Sequence, residues 1–236
     1  GCSILVHGYY FRNMRIILLN LLFIAVTLPC FAQNLQGWLI YFGNTKIKES
    51  KFSIHQEIQL RDYKIVGDHH QTLVRVGAQY QLKPYLVTTL GYGFIYTESF
   101  GEPNNPFVEN RIYQEALFNH SMGKAKFRHR LRLEERFIQN QDFRGRFRYC
   151  LFADIPLTDK GFAKHGAYIA VYDELFLNIA DDANITVFDR NRAYAGIGYK
   201  FRDNLGVQLG YMFQNVGVQQ GTNNVLLSFH HNLKIK

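Results

Sequence analysis

Phe127 to Ile138 reads F-R-H-R-L-R-L-E-E-R-F-I, with Arg128, Arg130, Arg132, Glu134 and Arg136 at every second position. Successive side chains of a β-strand point to opposite faces, so this run builds a charged ladder on one side. The other side carries Phe127, Leu131, Leu133 and Phe137. A helix would scatter those charges around its circumference, so the segment reads as a long two-faced strand.

The same alternation extends in both directions. Phe52 to Arg61 sets Phe52, Ile54, Ile58 and Leu60 against His55, Glu57, Gln59 and Arg61. Thr72 to Leu82 sets Val74, Val76 and Tyr80 against Arg75, Gly77 and Gln79, and Tyr85 to Thr97 sets Leu90, Tyr92 and Phe94 against Gly91 and Gly93. Downstream, Arg144, Arg146 and Arg148 alternate with Phe147, Tyr149 and Leu151, and Arg192, Tyr194, Gly196 and Gly198 with Ala193, Ala195 and Ile197. About eleven such stretches are readable between Trp38 and Ile235, with no linker or low-complexity tract.

Composition agrees with a folded β protein. The chain has 236 residues, 47% hydrophobic and 15% aromatic, with 5 Pro and a formal charge of +8. That apolar content excludes a disordered chain. Met14-Arg15, the apolar run Ile16 to Pro29 and Cys30-Phe31-Ala32 read as a secretory signal cleaved before Gln33. Acylation of Cys30 is the second reading, weakened by the Leu28-Pro29 context. Residues 1–13 read as upstream mistranslation, 14–32 as the signal peptide and 33–236 as one barrel domain. Cleavage leaves Cys150 as the sole cysteine, which excludes an intramolecular disulfide and a Cys-based metal site. It leaves 25 basic against 19 acidic residues.

Alternation alone does not say which face is inside. Four features favour an outward apolar face, hence an antiparallel up-and-down transmembrane β-barrel. Several strands run about ten or more residues, where soluble strands average about five or six. Aromatics flank turns, as Tyr80 and Tyr85 do around Lys83-Pro84. Glycine shares the polar face with long charged side chains, as a crowded lumen demands. Tight connections (Lys83-Pro84, Ser121-Met122-Gly123, Asp203-Asn204) alternate with longer ones (100–109, 179–186, 215–223). Membrane barrels of this kind have even strand numbers. Placing the tight turns in the periplasm makes the strand at Trp38 run inward, so ten or twelve strands both fit.

The strand Arg130-Leu131-Arg132-Leu133-Glu134-Glu135-Arg136-Phe137, the Tyr172-Asp173-Glu174-Leu175-Phe176 segment and the Phe188-Asp189-Arg190-Asn191-Arg192 run resemble the domain-of-unknown-function family numbered 2490. The Trp38 opening and Leu90-Gly91-Tyr92 also fit it. The resemblance implies an outer-membrane barrel of Bacteroidetes-type, Gram-negative bacteria, and it implies no activity.

The chemistry-bearing residues concentrate on the polar faces. Arg61, Arg75, Arg111, Arg128, Arg130, Arg132, Arg136, Arg144, Arg146, Arg148 and Arg192 share them with Glu57, Glu115, Glu134 and Glu174. Folding Phe127–Ile138 onto Phe143–Ile155 sets Arg146 near Glu134, but Arg136 near Arg144 and Arg132 near Arg148. Like charges placed opposite each other destabilise a sheet, so carboxylates from across the barrel, or a bound anion, are expected. Two readings stand. A salt-bridge network plugs and stiffens the lumen, leaving a structural or accessory barrel that meets partners through its loops. Alternatively, Arg forks line a narrow anion-attracting pore or an anionic-solute site.

Other motifs read plainly. Asn119-His120-Ser121-Met122-Gly123 superficially resembles an outer-membrane phospholipase cluster but reads as a polar turn, so a phospholipase- or acyltransferase-like enzyme is the lesser alternative. His69-His70 reads as a solvated loop, and Asp181-Asp182 as solvated acids rather than a calcium site. His129 and Glu135 fall on the apolar face, either near a membrane interface or behind a bulge. No catalytic residue, metal or cofactor is expected. The cations lie two apart on strands, which disfavours nucleic acid. The expected partners are outer-membrane lipid and lipopolysaccharide.

Overall fold

The computed structural model describes residues 35–179, 186–217 and 221–235. The expected signal peptide and the Asp181-Asp182 pair lie outside them. Eleven strands follow in order: β1 (Leu35–Ile47), β2 (Phe52–Asp62), β3 (His69–Lys83), β4 (Leu86–Thr97), β5 (Phe107–Met122), β6 (Ala125–Ile138), β7 (Arg144–Pro156), β8 (Ala167–Ile179), β9 (Phe188–Arg202), β10 (Leu205–Val216) and β11 (Thr222–Ile235). Each strand pairs with its sequence neighbour and β1 pairs with β11, closing a barrel.

The strand number falls between the expected ten and twelve, and the seam explains how. Ten antiparallel pairings reverse the chain ten times, so β11 runs in the direction of β1 and the closing pair is parallel. At the end of that seam the Lys48 amide donates to the Ile235 carbonyl at 3.1 Å, and the Phe42 ring stacks on His230. The up-and-down reading holds for every contact except this one. It also removes the parity conflict at Trp38, because an odd barrel starts and finishes at opposite ends.

One end carries the connections after β2, β4, β6, β8 and β10, five to nine residues long, and is called the long-loop end. The other carries two-residue turns after β3, β5 and β9, a four-residue turn after β1, and one longer connection over 157–166. That last loop folds back on the rim. The His165 amide donates to the Lys200 carbonyl at 2.7 Å, the Lys164 amide to Asp203 at 2.8 Å, and Phe162 lies 5.4 Å from the Tyr168 ring.

The alternation seen in the sequence is inverted relative to a water-soluble core. Arg132 is 2% exposed and Glu134 0%, whereas Leu133 is 42% and Phe137 46% exposed. Val74, Val76, Leu90, Ile197 and Leu209 also stand outside. Exposed aromatics gather toward the strand ends: Phe52, Tyr85 and Phe201 on one side, Phe94, Phe137, Phe143 and Phe213 on the other. Register through β6 is continuous, so no bulge displaces His129 and Glu135. Both remain on the outer wall within polar contacts. His129 Nδ1 lies 2.8 Å from the Tyr149 hydroxyl, and Gln114 Nε2 donates to Glu135 at 3.4 Å.

Glycine makes room for tyrosine inside. A Cβ on Gly91 would fall 2.2 Å from the Tyr113 ring, and one on Gly198 would fall 2.2 Å from the Tyr168 ring. These rings lie flat across the neighbouring strand, which only a residue lacking Cβ permits.

Candidate functional site

Two walls line the interior. On β8 to β11 and β1 it is apolar: Trp38, Ile40, Tyr168, Ala170, Tyr194, Met212 and Leu226 form one buried cluster. On β2 to β8 it is charged. All fifteen residues read from the sequence as lumenal point inward; nine are buried on β2, β3, β5, β6, β7 and β8, namely Glu57, Arg61, Arg75, Arg111, Arg132, Glu134, Arg146, Arg148 and Glu174. Arg192 is buried as well, while Glu115, Arg128, Arg130, Arg136 and Arg144 are partly buried.

Glu134 is the hub. Its carboxylate accepts from Arg146 at 2.5 Å and Arg148 at 2.5 Å, with Arg132 at 3.7 Å and Arg111 at 3.9 Å. Glu174 takes Arg130 and Arg148, each at 2.6 Å. Glu115 takes Arg132 at 2.6 Å, and Glu57 takes Arg75 at 2.8 Å. The register matches the expected hairpin: Arg136 faces Arg144, Arg132 faces Arg148, and Glu134 faces Arg146. The repulsion is relieved from adjacent strands rather than from across the barrel. Arg132 turns back to Glu115 on β5, while Arg148 turns forward to Glu174 on β8. Such charge-assisted forks are short and directional.

Three more carboxylates belong to the network. Glu109 binds Arg111 and Arg136, each at 2.6 Å. It shares alternation with Arg111, but the sequence reading ended the loop on it. Asp154 binds Arg128 at 3.0 Å and shares alternation with Arg148, so the pattern already held it. Asp189 accepts from Arg146 at 3.0 Å and pairs with Arg190. Strict alternation could not find it, because the register between β8 and β9 shifts at Phe176/Leu177 and skips Asp189.

A similar shift at Arg61/Asp62 leaves His70 as the extra residue of β3. It stacks on Tyr63 at 4.2 Å, and His69 Nδ1 lies 3.4 Å from Asp62, so neither histidine is in a solvated loop. Nor is His120 in a turn. It lies on β5 with Nε2 3.0 Å from His129 Nε2, on the outer wall. Cys150 is buried on the inner face between Arg130 and Glu174. Among the described residues no group of three or more His, Cys, Asp and Glu is placed to hold a metal ion.

The network divides the interior. Toward the long-loop end lies a chamber of about 340 Å³, into which Arg75, Arg148 and Arg192 face. Behind it a cavity of about 260 Å³ is lined by Glu57, Glu115, Arg130 and Arg132 together with Tyr172 and Tyr194. The tight-turn end opens into a third space of about 630 Å³ between His55, Asp154, Lys200 and Phe162.

Comparison with known proteins agrees with the resemblance. The family model described as "Protein of unknown function (DUF2490)" matches residues 35–225. An uncharacterized protein of Methylorubrum extorquens is 27% identical over 216 residues, covering 88% of this chain and 91% of that protein.

Proposed function

The chain belongs to the DUF2490 family, and on that premise we propose that it is an outer-membrane barrel of a Gram-negative bacterium, exported through a cleaved signal and closed inside by its Arg–Glu network. The observation that carries this reading is the inversion of faces, with Leu133 and Phe137 outside and Arg132 and Glu134 inside. Water would not leave so many large apolar side chains uncovered on every strand. A lipid phase accepts them, and a closed barrel satisfies every ladder hydrogen bond that lipid cannot. Lipid and lipopolysaccharide then cover the outer wall, and protein partners meet the loops.

The network argues for a closed, non-catalytic, structural or accessory barrel. Glu134, Glu174 and Glu115 knit β5 through β8 across the space an ion would have to cross. The anion pore remains the second reading, favoured by the arginines that face the long-loop chamber. A lipid-modifying enzyme has little support, since His120 is engaged with His129 rather than with a hydroxyl nucleophile.

The test is fractionation followed by planar-bilayer recording of the purified full-length protein across a salt gradient. Outer-membrane recovery, a heat-modifiable band and the absence of steady current are expected. Recovery in the soluble fraction defeats the membrane reading. A steady anion-selective current, lost when Arg132 and Arg148 become Glu, replaces the closed barrel with the pore.

A further inference from the structure

We propose that the chamber at the long-loop end is a binding site for a small oxyanion of two or more negative charges, of the phosphate type. The proposal deepens the second reading above but depends only on the barrel interior, so it survives whether or not the barrel conducts.

Charge balance comes first. Nine arginines line this chamber, against Glu109 and Asp189. Only three further carboxylates, Glu57, Glu134 and Glu174, reach those arginines from behind. Among the described residues, nine guanidiniums therefore meet five carboxylates. Arg136, Arg144 and Arg190 are partly exposed, whereas Arg61, Arg75, Arg111, Arg146, Arg148 and Arg192 are buried, and buried charge of one sign is costly unless paired.

Two arginines hold neutral partners. Arg61 donates to the side-chain oxygens of Gln59 and, at 2.7 Å, of Gln71. Arg192 donates to Gln214 Oε1 at 2.7 Å, and its nearest carboxylate, Glu174, is 3.8 Å away. The amide oxygens orient both forks without cancelling their charge. A guanidinium fork fits the tetrahedral oxyanion of phosphate or sulfate bidentately.

Unused donors give the second, independent sign. Trp38 lies beneath Arg61 at 3.8 Å and Arg192 at 5.1 Å, and its Nε1–H is buried with no acceptor among the described residues. Arg75 Nε is likewise buried and unpartnered. Both residues are 5% exposed and both line the chamber. Native proteins leave few buried donors unsatisfied, so two of them beside surplus cations describe a place for an acceptor. At about 340 Å³ the chamber is at the small end of ligand pockets, which suits phosphate, pyrophosphate or one phosphorylated headgroup.

The chain supplies its own reporter, because Trp38 is its only tryptophan. The experiment uses the full-length protein in maltoside detergent at constant ionic strength. With each quencher's efficiency normalised to that on free N-acetyltryptophanamide, iodide, an anionic quencher, is expected to quench Trp38 at least about threefold more efficiently than caesium, the direction set by the surplus cations. Inorganic phosphate and pyrophosphate should protect against iodide where equal chloride does not. Arg61→Gln with Arg192→Gln should weaken that protection at least about tenfold, as expected on losing two charge-assisted forks. Arg128→Gln, at the opposite end, should leave it unchanged. Dihexanoyl phosphatidic acid protecting at lower concentration than pyrophosphate identifies a lipid headgroup as the source, and the reverse identifies a free solute. Iodide no better than caesium, or no protection by any phosphate compound, overturns the proposal. The quenching comparison needs no variant, so a misfolded double mutant does not rescue it.

Discussion

Across β5, β6 and β7 the lumen is filled by Glu115, Arg132, Glu134, Arg146 and Arg148, whereas across β8 to β11 and β1 it is filled by Tyr168, Tyr194, Met212, Leu226 and Trp38. Both walls fill the lumen of the same barrel, leaving a cavity of about 260 Å³ between them. The charged wall does so with side chains fixed by partners, each losing its place if a neighbour is removed. The apolar wall does so by volume, with glycines spaced to receive the tyrosine rings. The walls meet at two aromatics. Trp38 lies under Arg61 and Arg192, and Phe176 lies 4.4 Å under Arg148 and 5.3 Å under Arg146. A ring face is the one surface that an apolar cluster and a guanidinium can share. A wall fixed by shared partners should respond cooperatively to substitution, and one fixed by volume should respond locally.

The largest effect should come from breaking the hub. Glu134→Gln keeps the shape but leaves Arg146 and Arg148 without their shared countercharge. Removing one member of a buried ion pair costs about 3–5 kcal/mol. Denaturant-induced unfolding of the refolded barrel measures it. A cost below about 1 kcal/mol would show that water reaches the network and that the two walls are not so different.

On the apolar wall the matching disturbance is overpacking. Gly198→Val puts atoms where the Tyr168 ring lies, 2.2 Å from the ideal Cβ. It should cost about 1–3 kcal/mol, the usual range for forced core shifts. Combined with Glu134→Gln the costs should add to within about 0.5 kcal/mol, as for sites without shared partners. Phe176→Leu combined with Glu134→Gln should depart from additivity by about 0.5–3 kcal/mol, because Phe176 carries the arginines that Glu134 holds. Additivity there would remove Phe176 as the joint between the walls.

The two walls were also unequally legible in the sequence. The charged wall could be read because Arg and Leu alternate with maximal contrast, so one glance at 127–138 fixes both faces and the register of its hairpin. The apolar wall could not. Ala167-Tyr-Ile-Ala-Val-Tyr172 is apolar on both faces, and period-two contrast vanishes where outer wall and lumen want the same chemistry. Tyr168 and Met212 are not placed by the alternation for that reason and Trp38 is read only as the opening of the first strand, whereas Tyr194 is read correctly on the face of Arg192. Asp189 and His70 were missed for another, since a register shift at the long-loop end breaks the alternation on which the reading rests. The eleven stretches read from alternation are the eleven strands, and the expected ten or twelve came from the even-number rule, which assumes an antiparallel seam.

The smallest expected effect lies outside both walls and tests what surrounds them. Asp173 is the central residue of β8 and stands on the outer face, where Asn191 Nδ2 donates to its carboxylate at 3.1 Å and 3.2 Å. Against lipid an acid at mid-strand is unfavourable, although less so than the about 2–4 kcal/mol of a cation there. Asp173→Leu should therefore stabilise the barrel in phospholipid vesicles by about 1 kcal/mol. Asn191 keeps an acceptor, because the same amide also donates to the Glu174 carbonyl at 3.3 Å. If water covered this wall, the substitution would fall within about ±0.5 kcal/mol, as exposed changes do. Running it in vesicles and in detergent thus separates the medium from the fold. A gain confined to vesicles assigns the outer wall to lipid, and equal near-zero changes in both would leave the inverted faces in need of a protein partner.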